Sequence, residues 1–207
     1  PAVLDQAQAE GWTLTQALEH LLRVEVTATD ARRLAGRFRF ANLPTGQTLD
    51  DFDHDAASGI DRSLLAELGT CRFIDTATNV LLIGPPGVGK TAIALRVAES
   101  MLPQFPHGVW LVDLASITNA SLIPSVIASA LPIEVRSSDI LSGIAAALRY
   151  KSLLLVFDNC EHLIDAAAAA ITALLHGAGN LKILTTSREP LRIEGEDVCR
   201  LPSLDVP

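Results

Sequence analysis

The segment 84–91 carries the clearest chemistry in this sequence. It reads Gly84, Pro85, Pro86, Gly87, Val88, Gly89, Lys90, Thr91 and matches the pattern Gly-x-x-x-x-Gly-Lys-[Ser/Thr] in full. Glycines let the backbone curl until successive N–H groups point inward at phosphate oxygens. Lys90 adds a positive charge for β- and γ-phosphates, and the Thr91 hydroxyl is placed to ligate Mg²⁺. The segment therefore predicts a site for a nucleotide and its magnesium ion.

An acidic residue at the end of an apolar run is a second candidate ligand for the metal. Residues 153–157 are apolar throughout and are followed by Asp158, which is the form of a Walker B segment. At the carboxyl end of a strand beside a phosphate loop, such an aspartate can hold the Mg²⁺ shell. We therefore expect Asp158 and Thr91 to hold one metal ion.

Two further side chains are candidates for action on a γ-phosphate. Arg188 follows the segment 181–184, which is apolar except for Lys182, and three hydroxyl residues, so we expect it to sense a γ-phosphate by charge-assisted hydrogen bonds. Its alternative role is that of an exposed arginine at a strand end. Hydrolysis needs a group that activates water, but position 159 is Asn159. Glu161 could replace the expected glutamate, or it could be a surface or helix-capping acid.

The base and the reaction follow less directly from the residues. The sequence holds no Asn-Lys-x-Asp segment to recognise guanine, so adenine is the expected base. Slow ATP hydrolysis and a switch without hydrolysis both stay open, because Asn159 occupies the position at which a catalytic glutamate would serve.

Alternating strands and helices must position these residues. Apolar runs, typical of strands buried on both faces, occupy residues 80–83, 109–112, 153–157 and, interrupted by Lys182, 181–184. Helical patterns lie between them, at residues 92–101, 122–131, 140–148 and 163–175, with Pro124 expected in a first turn. This alternation predicts an α/β fold with a mostly parallel sheet flanked by helices and right-handed crossovers.

The first part of the chain has a different character. Residues 12–42 predict two helices, and an acidic linker at 49–55 leads to a third helix near Asp61. We therefore divide the chain into a small helical N-terminal appendage, residues 1–47, and a nucleotide-binding domain, residues 48–207.

Composition excludes several classes of protein. Of the 207 residues, 49% are apolar and 19% charged, which excludes a disordered chain. No apolar run approaches the roughly 18 residues of a membrane span, and no signal pattern begins the sequence. The three cysteines fit neither a disulfide framework nor a zinc site, as in a reducing compartment. We expect a cytoplasmic protein without a membrane partner.

The balance of acidic and basic residues indicates whether the chain can bind nucleic acid. A net charge of −8 argues against DNA binding by bulk charge. Arginines at positions 32, 33, 37 and 39 form the one candidate basic cluster, for which a solvated helix face is the alternative.

Residues from about 12 to 91 resemble the helper ATPases of insertion-sequence transposition, the IstB-like family of P-loop NTPases. The blocks that carry this resemblance are residues 31–34, 48–53, 60–68, 73–74 and 79–91. Residues 105–115, 153–163 and 185–191 instead resemble the signal-transducing STAND NTPases of LuxR-type bacterial regulators. An IstB-like helper would have an acidic pair where Asp158 and Asn159 stand, and the helical lid of a STAND regulator is expected to be missing before residue 207.

The two resemblances imply different partners for one nucleotide module. The first implies a helper that binds ATP and Mg²⁺ and acts with a transposase, with DNA as the less favoured partner and oligomers that depend on nucleotide. The second implies an ATP/ADP switch within a transcriptional regulator, with little or no hydrolysis. A relic of gene fusion that has lost its partners is a third alternative.

Overall fold

The structure is a computed structural model that describes residues 7, 9–40, 70 and 79–201. The chain divides into two compact units, Pro1–Phe40 and Ala41–Pro207. The predicted linker at 49–55, the helix near Asp61 and the predicted boundary after residue 47 lie outside the described residues. The division into an appendage and a nucleotide-binding domain stays a prediction.

The first unit contains one long helix, α1 (Leu14–Phe40), where the sequence predicted two, so the prediction of a break was wrong. Thr13 and Gln16 cap its start reciprocally: the Thr13 N–H donates to Gln16 Oε1 at 2.8 Å, and the Gln16 N–H donates to Thr13 Oγ1 at 3.3 Å. The helix continues through its β-branched middle, where the Thr27 hydroxyl donates to Arg23 O at 2.9 Å within the helix.

The second unit is built on a five-stranded sheet. Its strands are β1 (Asn79–Ile83), β2 (Val109–Asp113), β3 (Leu153–Asp158), β4 (Leu181–Ser187) and β5 (Glu196–Arg200). The order across the sheet is β2-β3-β4-β1-β5, and every pair is parallel. The four predicted strands are confirmed. The fifth, β5, was missed because its residues are mostly charged and lie at an exposed edge.

Four helices connect the strands as predicted. They are α2 (Lys90–Met101), α3 (Ile123–Ala130), α4 (Ile140–Leu148) and α5 (Ile164–Gly177), with short 3₁₀ turns at Leu102–Gln104, Ala120–Leu122 and Cys160–His162. Pro124 lies in the first turn of α3, where its missing N–H costs no hydrogen bond. The α/β fold is therefore confirmed. No helix among the described residues is long and apolar enough to cross a membrane.

The core explains why the central strands are apolar at every position. All residues of β1 and β3 are buried, since helices cover the sheet on both faces. One face packs against α3, α4 and α5 through residues such as Ile127, Ile144 and Ile171, each of which is fully buried. This packing fixes the carboxyl ends of the strands, where the candidate site lies.

Candidate phosphate-binding site

The strand order brings the candidate residues to one edge of the sheet. β4 lies between β1, which precedes the loop at 84–89, and β3, which ends in Asp158. Parallel strands put their carboxyl ends at the same edge, so the loop, Asp158 and the end of β4 become neighbours.

The glycines of the loop are required for two different reasons. Gly87 and Gly89 both have φ of 81°, in the left-handed region, and a Cβ at either would meet nothing within 4 Å. At these two positions the backbone conformation demands glycine. Gly84 is required by space, because a Cβ there would lie 2.8 Å from the Leu201 carbonyl oxygen. The chain beyond β5 thus abuts the loop, and the Leu201 N–H donates to Ile83 O at 2.7 Å.

Lys90 begins α2 and folds back over the loop. Its Nζ donates to Gly84 O at 2.8 Å and to Pro85 O at 3.0 Å, and only 9% of the residue is exposed. Burial lowers the pKa of the Lys90 amine, Glu161 and Asp158 raise it, and Arg188 lowers it further, with a net lowering. The ammonium group therefore lies within electrostatic reach of the three other charged candidates.

The two predicted metal ligands are in direct contact. Thr91 Oγ1 donates to Asp158 Oδ1 at 2.9 Å, across 67 positions of sequence. A hydroxyl and a carboxylate are the hard oxygen ligands that Mg²⁺ takes alongside phosphate oxygens and water. Within the described part of the chain, no group of three or more His, Cys, Asp or Glu side chains could hold a metal by itself. The residues present therefore fit a magnesium ion that is shared with phosphates.

Two residues that the sequence analysis did not assign to the metal site hold Asp158 in place. The Thr186 hydroxyl donates to Asp158 Oδ1, and Asn159 Nδ2 donates to Asp158 Oδ2 at 3.0 Å. The Asn159 N–H donates to Thr186 Oγ1 at 3.1 Å, and Asn159 has a left-handed φ of 61°. Asn159 Nδ2 also lies 3.3 Å from Oδ1 of Asp113, at the end of β2. Polar residues at the ends of neighbouring strands were the available sequence signal.

Glu161 and Arg188 form an ion pair. Arg188 Nε lies 3.0 Å from Glu161 Oε1, with the arginine side chain 54% exposed and the glutamate side chain 17% exposed. The other glutamate oxygen, Oε2, is buried and has no hydrogen-bond partner. The structure thus joins these two candidates to each other.

Two cavities open beside this pair. The larger, about 530 Å³, is lined by Ile83, Gly84, Pro85, Pro86, Arg188, Arg200 and Leu201. The smaller, about 390 Å³, is lined by Ala115, Asn159, Glu161, His162, Arg188 and Glu189. Arg188 borders both cavities. Arg200, at the end of the missed strand β5, is a further residue that the sequence analysis did not include.

The structure brings together Lys90, Thr91 and Asp158, and it places the Glu161–Arg188 pair next to them. The arginines at positions 32, 33, 37 and 39 belong to α1, and their side chains lie outside the described residues. The binding and catalytic roles of all these residues stay predictions.

Two family profiles match the chain. That of the IstB-like ATP-binding proteins covers residues 1–119, and that of the AAA domain covers residues 71–188. Both include the loop at 84–91. The AAA profile also extends through Asp158 to Arg188.

The curated relatives carry three kinds of name. An uncharacterized protein of Mycobacterium tuberculosis is 37% identical over 139 residues. The matched region covers 65% of this chain and 35% of that protein. An M. tuberculosis protein named as an HTH-type transcriptional regulator is 36% identical over 128 residues, 61% of this chain and 14% of that protein. The insertion sequence IS21 ATP-binding protein of Pseudomonas aeruginosa is 36% identical over 96 residues, which cover 46% of this chain and 36% of that protein. The chain thus spans little more than a third of two relatives and much less of the other.

A solved structure shares the fold. The crystal structure of Cdc6p from Pyrobaculum aerophilum superposes with a TM-score of 0.50 at 15% identity, covering 72% of this chain and 49% of that chain. At this identity the likeness shows the α/β fold alone.

Proposed function

The chain belongs to the IstB-like ATP-binding protein family, and from this premise we propose that it is a P-loop ATPase that binds ATP with Mg²⁺ and serves as a nucleotide-dependent helper in DNA transposition or a related assembly. The contact between Thr91 Oγ1 and Asp158 Oδ1, at 2.9 Å, is the observation that carries the nucleotide-binding part. It joins a loop residue and a strand-end residue into one pair of magnesium ligands next to Lys90.

Each residue of the site has a defined task in this proposal. Backbone N–H groups of the loop bind phosphate oxygens, and Lys90 exchanges its contacts with Gly84 O and Pro85 O for the β- and γ-phosphates. Thr91 and Asp158 hold the magnesium ion, which when bound neutralises charge on the phosphates. Thr186 keeps the Asp158 carboxylate oriented.

The helper role rests on the family and on one group of relatives. The P. aeruginosa relative carries the name of an insertion sequence ATP-binding protein. By that likeness the partner is a transposase, and ATP binding would control assembly with it. DNA is the weaker candidate partner because the chain has a net charge of −8.

A switch module of a transcriptional regulator is the second candidate function. The relative named as an HTH-type regulator supports it, and so does the residue after Asp158, which is Asn159 and provides no carboxylate to activate water. A module of this kind would bind ATP and ADP with little or no turnover.

One experiment tests the proposal and separates the two candidates. ATP affinity and ATP turnover are measured with Mg²⁺ for the wild type, for Lys90→Ala and for Lys151→Ala, whose lysine lies before the amino end of β3. We expect Lys90→Ala to weaken ATP binding by about tenfold or more and Lys151→Ala to leave it unchanged. If the wild type binds and hydrolyses ATP and Lys90→Ala loses both activities, the result supports an ATPase. If the wild type binds ATP but does not hydrolyse it, the result supports the switch. Absence of ATP binding by the wild type would refute both.

A further inference from the structure

The ion pair between Glu161 and Arg188 has an asymmetric geometry. Glu161 Oε1 contacts the guanidinium at Nε, at 3.0 Å. A guanidinium presents its five N–H donors along separate edges, so a contact at Nε leaves the edge with the two terminal nitrogens outside the pair. Arg188 is 54% exposed, whereas Glu161 is only 17% exposed. The glutamate is the more buried member of the pair, and the arginine is the more accessible one.

Arg188 shares one cavity with its partner and another with the phosphate loop. It lines the smaller cavity together with Glu161 and Asn159, and it lines the larger cavity together with Pro85 and Pro86. The charges of Glu161 and Arg188 both act on the Lys90 amine, which bonds to the loop carbonyls. A phosphate that Lys90 binds would therefore lie beside a cavity that Arg188 also lines.

An arginine that is already held in one orientation loses less conformational freedom when it binds a ligand. Its long side chain has many rotamers, and ordering such a chain at the moment of binding costs free energy. An acceptor at Nε orders the side chain beforehand and leaves the opposite edge for a second acceptor. Because ADP lacks the γ-phosphate, this ordering would favour ATP alone.

We infer that Glu161 is a positioning residue that holds Arg188 at Nε, so that the terminal nitrogens of Arg188 recognise the γ-phosphate and the pair sets the preference for ATP over ADP. This inference rests on the proposed function, because it requires nucleotide at the loop. It differs from a role of Glu161 in activating water, since Glu161 acts through Arg188 and affects binding.

The test compares the affinities for ADP and for a non-hydrolysable ATP analogue, both with Mg²⁺. The proteins are the wild type, Glu161→Ala, Glu161→Gln, Arg188→Ala and the double alanine variant. The ratio of the two affinities is the readout, because a change in folding or in the loop would alter both affinities together. Glu161→Gln is the matched control, since its amide oxygen can still accept the Nε hydrogen.

We expect Arg188→Ala to lower the preference for the ATP analogue by about tenfold, as the loss of a charge-assisted hydrogen bond would. Glu161→Ala should lower it by about three- to tenfold, the effect of one disordered side chain. Glu161→Gln should stay near the wild type, and the double variant should resemble Arg188→Ala because the two residues act through one contact.

Several results would overturn the inference. If Glu161→Ala and Glu161→Gln both strengthened binding of the ATP analogue, Glu161 would be a repelling charge that nucleotide must displace. An unchanged ratio in Glu161→Ala would show that Arg188 needs no positioning. These outcomes leave the proposed function intact, whereas a wild type that binds neither nucleotide refutes the proposed function itself.

Discussion

The surroundings of Lys90 disfavour the charged form of its amine. Burial lowers the pKa of its amine, and the carbonyls of Gly84 and Pro85 accept its hydrogen bonds. Phosphate oxygens would replace neutral acceptors with negatively charged ones and so raise that pKa. Nucleotide binding and protonation of Lys90 are therefore linked.

This linkage predicts the pH dependence of ATP affinity. Between the lowered pKa of the unbound protein and the higher pKa of the complex, binding takes up a proton, so affinity falls as pH rises. Below both pKa values the lysine is charged in both states, and this contribution disappears. Calorimetric titrations at a series of pH values from about 7 to about 10.4, each in two buffers of different ionisation heat, should show proton uptake that grows as pH approaches the ordinary pKa of lysine. Equal heats in both buffers throughout this range would contradict the prediction.

The Thr186 hydroxyl has two hydrogen-bond partners at the site. A substitution that keeps the shape of the side chain but removes the hydroxyl tests what these hydrogen bonds contribute. Its hydroxyl donates to Asp158 and accepts from the Asn159 N–H at 3.1 Å. Thr186→Val keeps the volume but leaves a backbone donor unpaired, so we expect a loss of about 1–3 kcal/mol in the free energy of unfolding, together with weaker ATP binding in the presence of Mg²⁺.

Thr185→Val is the matched control for that measurement. Thr185 is equally buried, and its hydroxyl donates to Val80 O at 3.1 Å, an acceptor on the neighbouring strand. Its loss leaves no donor unpaired, so urea unfolding should show a smaller effect, and Mg²⁺-dependent binding should not change. Equal losses in the two variants would mean that the position of the hydroxyl is unimportant.

Residues in local motifs could be predicted from the sequence, whereas those joined across strands could not. The loop residues and Asp158 each belong to a short pattern that can be recognised without knowing the fold. The role of Thr186 depends on the position of β4 between β1 and β3, because its bond to Asp158 spans 28 positions. The pairing of Glu161 with Arg188 depends on the same strand order.

At the scale of elements, the end of β5 constrains the loop. A Cβ on Gly84 would meet the Leu201 carbonyl oxygen at 2.8 Å, while a Cβ on Gly87 would meet nothing. The strand was missed because alternation and apolar runs are weak in an exposed edge strand of charged residues. The helix α1 runs unbroken through its β-branched residues, because such residues lower helix propensity without forbidding a helix.

Substitutions of three glycines distinguish the cost of a steric clash from the cost of a left-handed backbone conformation. Gly84→Ala must displace backbone, with an expected cost of about 1–3 kcal/mol. Gly87→Ala meets only the left-handed penalty of about 1–2 kcal/mol. Gly179→Ala is the control, because its Cβ would meet no atom within 4 Å and its φ is not in the left-handed region. Urea unfolding of the three variants measures the loss in the free energy of unfolding for each substitution.

Hydrogen exchange distinguishes the first two variants. The Leu201 N–H bonds to Ile83 O at 2.7 Å, so its exchange should accelerate in Gly84→Ala and not in Gly87→Ala. Acceleration in both variants, or in neither, would contradict the proposed contact between the end of β5 and the loop.

At the scale of the whole molecule, charge is divided unevenly along the chain. Residues 1–40 hold five basic and five acidic residues, so the whole net charge of −8 belongs to residues 41–207. The unit with the phosphate site therefore repels DNA, and the arginines at positions 32, 33, 37 and 39 lie in the neutral unit. Bulk charge could be judged from the sequence alone, whereas the arrangement of the arginine side chains could not.

This division predicts that the chain by itself does not retain DNA at moderate salt. Four phosphate contacts at most would give a shallow salt dependence of the binding constant, with a slope of about −3 to −4 on logarithmic axes. Gel shifts with a DNA fragment, at low salt and at about 0.15 M salt, each with and without ATP, should show no complex at the higher salt.

A DNA complex that survives moderate salt and disappears when the four arginines are replaced by alanine would contradict the prediction and make DNA a direct partner. If no such complex forms, the proposed helper role would rest on contact of this chain with a partner protein and not with DNA. Nucleotide would then act on the contact with that protein, and the site around Lys90 would govern assembly without touching DNA.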